Sequence, residues 1–204
     1  MVVTKSEQHA LMNLSKPIYG AAIEYPNKNE DCNDWGFREF REYKTGQAIA
    51  LGCSYTYGFG VNHEEAWPYQ LEQLLNVEVY NFGVSGGAYD TFVRLAEYWV
   101  KKLQPKYVFL ALIFPERYEI YHQDEWRHVL ANQPNSPETL FEECNLYTNF
   151  IKNTRAMSSI TRNTKLIVES DFQHSDRAAS DNMHPGPEWH NDVANLFYDK
   201  LKGL

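Results

Sequence analysis

Apolar residues along the chain fall into short runs that alternate with helical stripes. From Gln47, "QAIALG" predicts a buried strand closed by a glycine. "AWPYQLEQLLN" follows, with Leu71, Leu74 and Leu75 at helical spacing and Pro68 tolerable only in a first turn. "VEVYNFG" predicts a second strand. In "DTFVRLAEYWVKKL", Phe92, Leu95, Ala96, Trp99 and Leu103 share one helical face. "KYVFLALIF", ended by Pro115, is apolar on both faces and predicts a third strand. A longer polar segment covers Tyr118 to Pro137, with "NSP" as its break. Glu138 to Ile160 predicts a helix with Leu140, Cys144, Tyr147 and Ile151 in line. "KLIVES" predicts a fourth strand, and Val193, Phe197 and Leu201 mark a closing helix.

Strands apolar on both faces, alternating with helices, imply a mainly parallel sheet covered on both sides, a three-layer α/β/α sandwich. Right-handed crossovers bring the strand C-termini to one edge, where open sheets of this kind bind ligands. Residues 1–46 are polar and broken by Pro17, Gly20, Pro26 and Gly36. They read as an irregular arm, with a short hairpin near Trp35–Phe37, packing on a domain of residues 47–204.

Composition narrows the function classes. A chain of 204 residues is one domain by default. A net charge of −8 without a basic cluster disfavours nucleic acid. Cys32, Cys53 and Cys144 are odd in number and widely spaced, which argues against a disulfide framework and for a reducing compartment. The first twenty residues hold no continuous apolar core, and no run approaches a membrane span. The expectation is a soluble, cytoplasmic protein needing no metal or cofactor.

Chemistry-bearing residues fall just after the strands. Ser54 follows the first in "GCSYTYG"; Gly83, Gly86 and Gly87 follow the second in "NFGVSGG"; Arg117 follows the third in "PERYE". Asp181 and His184 precede the last helix in "DNMHPG". A serine needs a base, usually a histidine oriented by a carboxylate, and glycine-exposed amides can hold an oxyanion. Each part also has a plain reading: Ser54 as a helix cap, Asp181 as a turn residue, His184 on the surface, and glycines for turn geometry. "DFQHSD" repeats the Asp-x-x-His spacing with Asp171 and His174, beside Asp176, but lacks the Pro-Gly and closing helix that follow Asp181 and His184. His63 and His190 have no metal-ligand spacing with another histidine or cysteine.

Taken in order, these blocks resemble the SGNH/GDSL hydrolase family. "GCSYTYG" resembles the first block with Ser54 as nucleophile, "NFGVSGG" the second, and "DNMHPG" the last. "YGFGVNHEEAWPYQLEQLL" resembles the turn and first helix of many such proteins. "DWGFRE" resembles the arm of one branch. The likeness runs from about Trp35 to the C-terminus and is weakest from Tyr118 to Thr164.

The resemblance implies a flavodoxin-like sandwich and a serine-dependent esterase or deacylase acting on a small-molecule or glycan ester, such as an O-acetyl group. Ser54, His184 and Asp181 would form the triad, and the amides of Ser54 and Gly83 the oxyanion site. An O-acyltransferase with the same triad, or a binding protein without catalysis, stays open, as does the oligomeric state. Two positions depart from the pattern. Cys53 replaces the aspartate of the first block and is expected to turn into the core. "LIFPERYE" replaces the third block and lacks its asparagine, so Arg117 is the candidate to meet the oxyanion or a substrate carboxylate. Its plain reading is a surface pair with Glu116 or Glu119. Tyr55, Tyr57 and Phe59 are expected to line the acyl or alcohol pocket, and Tyr118 to Ser136 to form a lid or rim.

Overall fold

The computed structural model describes residues 33, 36–113, 117–122, 125–129, 143–172 and 179–204. Strand β1 (Ala48–Gly52) runs into a one-turn helix, α1 (Ser54–Tyr57), and after a 3-10 turn at His63–Glu65 into α2 (Trp67–Leu75). Then come β2 (Val79–Gly83), α3 (Tyr89–Leu103), β3 (Tyr107–Ala111), β4 (Tyr118–His122) and β5 (Glu125–Val129). The chain continues with α4 (Glu143–Ile160), β6 (Lys165–Glu169) and α5 (Pro187–Lys202). One sheet has the order β2-β1-β3-β6, every neighbouring pair parallel; β4 and β5 form a separate antiparallel hairpin. The α/β class and parallel sheet expected from the apolar runs are what the chain adopts.

The period of the strands assigns the layers. Ile49, Leu51, Tyr80, Phe82, Val108 and Leu110 face one way, against α3 and Met157 of α4. Ala48, Ala50, Val79, Phe109 and Ala111 face the other, against Trp67 and Leu71 of α2 and Trp189, Val193 and Phe197 of α5. Pro68 sits in the first turn of α2, as expected. Among the described residues no helix is long and apolar enough to cross a membrane.

β2 is an edge strand, and its outward polar groups are met by side chains. Val79 N–H donates to Glu72 Oε2 at 2.8 Å, Asn81 N–H to Glu39 Oε2 at 3.4 Å, and Arg41 Nη2 to Val79 O at 3.3 Å. Arg41 also bridges Glu39 and Glu72. Phe37 and Tyr43 of the same segment pack on Phe82 and Trp99. The residues just before β1 therefore cover the sheet edge and help complete one core face. Trp35, Cys32 and most of the expected arm lie outside the described residues.

Two elements differ from the sequence reading or add to it. The polar segment from Tyr118, to which the sequence assigned no element, contains the β4–β5 hairpin. Glu119 docks β4 on α3, accepting from Arg94 Nη2 at 2.6 Å and from Thr91 Oγ1 at 2.5 Å. In α4, Tyr147 is 68% exposed rather than inward. Its inward positions are Phe150, Asn153, Met157 and Ile160, and Asn149 and Asn153 donate to Asp90 of α3 at 3.0 Å. Two asparagines carry the polar part of that contact, which an apolar stripe does not reveal. Leu140 lies outside the described residues.

His190 of α5 is fully buried, and its Nδ1 accepts the Trp67 N–H at 3.2 Å, which puts the ring proton on Nε2. Burial, reinforced by Arg38 and His184, pushes its pKa down to about 3. Burial and Arg38 also lower His63. The His190 ring stays neutral in the fold down to about pH 3, while in the unfolded chain it takes up a proton below the ordinary histidine value. Stability is therefore expected to fall as pH drops from about 6.5 towards about 3, His190 contributing up to about 1.4 kcal/mol per pH unit. Urea unfolding at about pH 7 and about pH 5 checks this; equal stability at both would contradict a neutral His190.

Candidate active site

The nucleophile candidate lies at the C-terminal end of β1. Cys53 is the N-cap of α1 and Ser54 its first residue, with no side-chain cap hydrogen bond, so Ser54 is not serving as the cap. Ser54 is 6% exposed. Cys53 points into the core as expected, and burial pushes its thiol pKa up. Among the described residues the Ser54 N–H has no hydrogen-bond partner.

Two glycines let α1 lie directly on the sheet. A Cβ on Gly52 would stand 2.0 Å from Thr56 Oγ1, and one on Gly83 would stand 2.2 Å from Tyr57 N. Asn81 Nδ2 donates to Thr56 O at 2.9 Å, and Trp67 Nε1 to Thr56 Oγ1 at 3.3 Å. The helix bearing Ser54 is thus clamped between β2 and α2.

Gly83 is the glycine whose N–H was expected at the oxyanion. Its N–H donates to Asn81 Oδ1 at 2.9 Å, so that hydrogen is already engaged. Its role is close approach to α1. The turn that follows closes with Gly87 N–H on Val84 O at 2.9 Å and holds Gly86 at φ 69. The Gly86 N–H has no hydrogen-bond partner among the described residues. The signal was present in "NFGVSGG": Gly86 takes the positive-φ position of the turn, where glycine is favoured.

Asp181 and His184 come together on a tight turn before α5. His184 Nδ1 lies 2.5 Å from Asp181 Oδ2, while Asp181 Oδ1 accepts the N–H groups of Met183 and His184, each at 3.0 Å. Partial burial pushes the Asp181 carboxyl up, but those two amides and the His184 ring outweigh it and hold its pKa below the ordinary value. The turn is tied to the loop after α1: Ser180 donates to Gly60 O from its N at 3.1 Å and from Oγ at 2.7 Å.

The imidazole leans on the Ser54 segment. Its ring meets Tyr55 edge-on at 5.6 Å and lies near Phe59 at 5.4 Å. Tyr57 stacks on Phe59 at 4.6 Å. Among the described residues Ser54 Oγ makes no direct hydrogen bond to His184; such bonds are often long without substrate and tighten in the reacting complex. Arg117 is half-buried, and its charge acts on the Cys53 thiol and the Tyr55 hydroxyl, the neighbours of Ser54 on either side. Glu116 lies outside the described residues; Glu119 is engaged by Arg94.

Of the competing pattern, Asp171 is exposed after β6, while His174 and Asp176 lie outside the described residues. His63 sits in the 3-10 turn against Phe40 and Tyr69. Among the described residues no group of three or more His, Cys, Asp or Glu could hold a metal ion.

No family model matches the sequence, and no curated protein matches it. Solved structures do. A carbohydrate esterase whose active site displays divergent catalytic and non-catalytic binding functions aligns with TM-score 0.51 at 12% identity, over 81% of this chain and 67% of that one. An acetyl xylan esterase from the rumen bacterium Butyrivibrio proteoclasticus aligns with TM-score 0.48 at 14% identity, over 80% and 64%. A psychrotrophic esterase from Pseudoalteromonas aligns with TM-score 0.42 at 15% identity, over 77% and 97%. At such identities the likeness speaks for the fold alone, an α/β fold shared with that carbohydrate esterase.

Proposed function

We propose that the protein is a serine-dependent esterase or deacylase acting on an ester of a glycan or small molecule. The observation that carries this reading is the 2.5 Å contact between His184 and Asp181, with the imidazole set against the helix that begins at Ser54. The likeness to a carbohydrate esterase favours a glycan ester as substrate.

In this mechanism Ser54 Oγ attacks the acyl carbon as its proton passes to His184 Nε2. Asp181 holds the opposite side of the ring and stabilises the imidazolium. The carbonyl oxygen becomes an oxyanion, which the N–H groups of Ser54 and Gly86 receive. Arg117 supplies a positive charge that offsets the oxyanion in place of the missing asparagine's side-chain donor. Collapse expels the alcohol with a proton from His184 and leaves an acyl-serine. Water, deprotonated by His184, then releases the carboxylic acid and restores Ser54.

A fluorophosphonate, which mimics the tetrahedral intermediate, tests this. Wild-type protein gains one covalent adduct by intact mass, Ser54→Ala gains none, and Arg117→Ala labels about 100- to 1,000-fold more slowly. Equal labelling of Ser54→Ala, or none of wild type at high probe concentration, rejects the serine mechanism. Unchanged labelling of Arg117→Ala removes that residue from the oxyanion site.

A further inference from the structure

A base held through one hydrogen bond can still tilt about it. His184 is tied to Asp181 through Nδ1, and two aromatic rings restrain the rest of the imidazole. Tyr55 meets it edge-on, with an interplanar angle of 73°, whereas Phe59 lies closer to parallel, at 31°. Phe59 is itself backed. Tyr57 stacks behind it with an interplanar angle of 26°, and the Arg38 guanidinium carbon lies 5.8 Å from the Tyr57 ring centre. Arg38 Nη1 also donates to Gly58 O at 2.6 Å, fixing the backbone between the two rings. Gly60, the next residue after Phe59, accepts both hydrogen bonds from Ser180 beside Asp181.

We propose that Phe59, backed by Tyr57 and Arg38, is a positioning residue for His184. It keeps the imidazole in the plane set by Asp181 and presents a π face to the imidazolium as it forms. An aromatic face attracts a cation through its quadrupole, so the contact strengthens as the serine proton arrives. This differs from the expectation that Tyr57 and Phe59 line the substrate pocket: the ring contacts described run to each other, to Arg38 and to His184. Residues 54–60 then carry the nucleophile, the support of the base and the anchor of the acid's turn. The proposal rests on the reading of His184 as the general base.

Steady-state hydrolysis of a p-nitrophenyl ester separates these roles when Ser54→Ala, Phe59→Leu, Phe59→Tyr and Tyr57→Leu are compared with wild type. Loss of ring support lowers kcat of Phe59→Leu by about 10- to 100-fold, because small misplacements of a catalytic group are costly. KM stays unchanged, Phe59→Tyr restores the rate, and Tyr57→Leu shows a smaller loss. The low-field proton resonance of the Asp181–His184 hydrogen bond broadens in Phe59→Leu and returns in Phe59→Tyr; a purely structural residue would lower Tm and leave it in place. Phe59 is only half-buried, so the variant is expected to fold; if it does not, Tyr57→Leu decides by the same readouts. A wild-type kcat, a rise confined to KM, or an unaltered resonance overturns the proposal while Ser54→Ala remains inactive. Turnover by Ser54→Ala brings down the triad reading and the proposal with it.

Discussion

Asp181→Asn is expected to lower kcat by about 10,000-fold while the protein stays folded. Asp181 does two things, and asparagine keeps one of them. Its Oδ1 accepts the N–H groups of Met183 and His184, and an amide oxygen can do the same, so the turn survives. Its Oδ2 faces His184 Nδ1 at 2.5 Å. An amide NH₂ there can only donate. The imidazole must then accept at Nδ1 and carry its proton on Nε2, the nitrogen that should take the serine proton. The charge that stabilises the imidazolium is lost as well. Kinetics on a small aryl ester, with Tm as the folding check, measure both effects. A kcat within tenfold of wild type would reject the Asp181–His184 assignment; Asp171→Asn, exposed after β6, is the control expected to leave kcat unaltered. Because its amide bonds and the His184 ring hold the Asp181 pKa below the ordinary carboxylate value, the residue stays ionised through neutral pH. Its contribution fades only when pH falls through that lowered value.

β1, β2 and β3 were legible because both faces are buried and largely apolar, a pattern that a sheet covered on both sides requires, whereas β6 buries alternate positions and was legible as a short apolar run. α3 was legible because Phe92, Leu95, Ala96 and Trp99 are all buried on one stripe. The inward face of α4 was not, because Asn149 and Asn153 reach Asp90 by hydrogen bonds. The β4–β5 hairpin was missed for a similar reason, since an ion pair between Glu119 and Arg94 docks it and leaves no apolar run. Within the site, spacing was enough to pair Asp181 with His184, since a four-residue turn closes on itself. It was not enough to choose among the glycines of "NFGVSGG". That choice depends on which amide another group has already engaged, and Asn81, two residues upstream of Gly83, decides it.

Gly83→Ala is expected to cost more than about 4 kcal/mol of stability, beyond the usual range for a single substitution. Gly83 has no positive φ, so backbone conformation is not the reason. The new Cβ would lie 2.2 Å from Tyr57 N and 2.7 Å from both Thr56 C and Tyr57 Cα. These are backbone atoms, and no rotamer change can clear them. Either β2 or α1 must move, and α1 carries Ser54. Gly46→Ala is the informative partner. Gly46 has φ 77, yet nothing lies within 4 Å of the added Cβ. That variant bears only the left-handed strain, roughly 1 to 2 kcal/mol. Urea unfolding of the two variants therefore separates close approach from turn geometry. A Gly83→Ala protein that survives at low temperature should also label slowly with fluorophosphonate, because Ser54 moves with its helix. Gly46→Ala, at the far end of β1 from Ser54, should label at the wild-type rate. Equal stability losses would mean that α1 does not rest on β2 as described, and the placement of the nucleophile would fall with it.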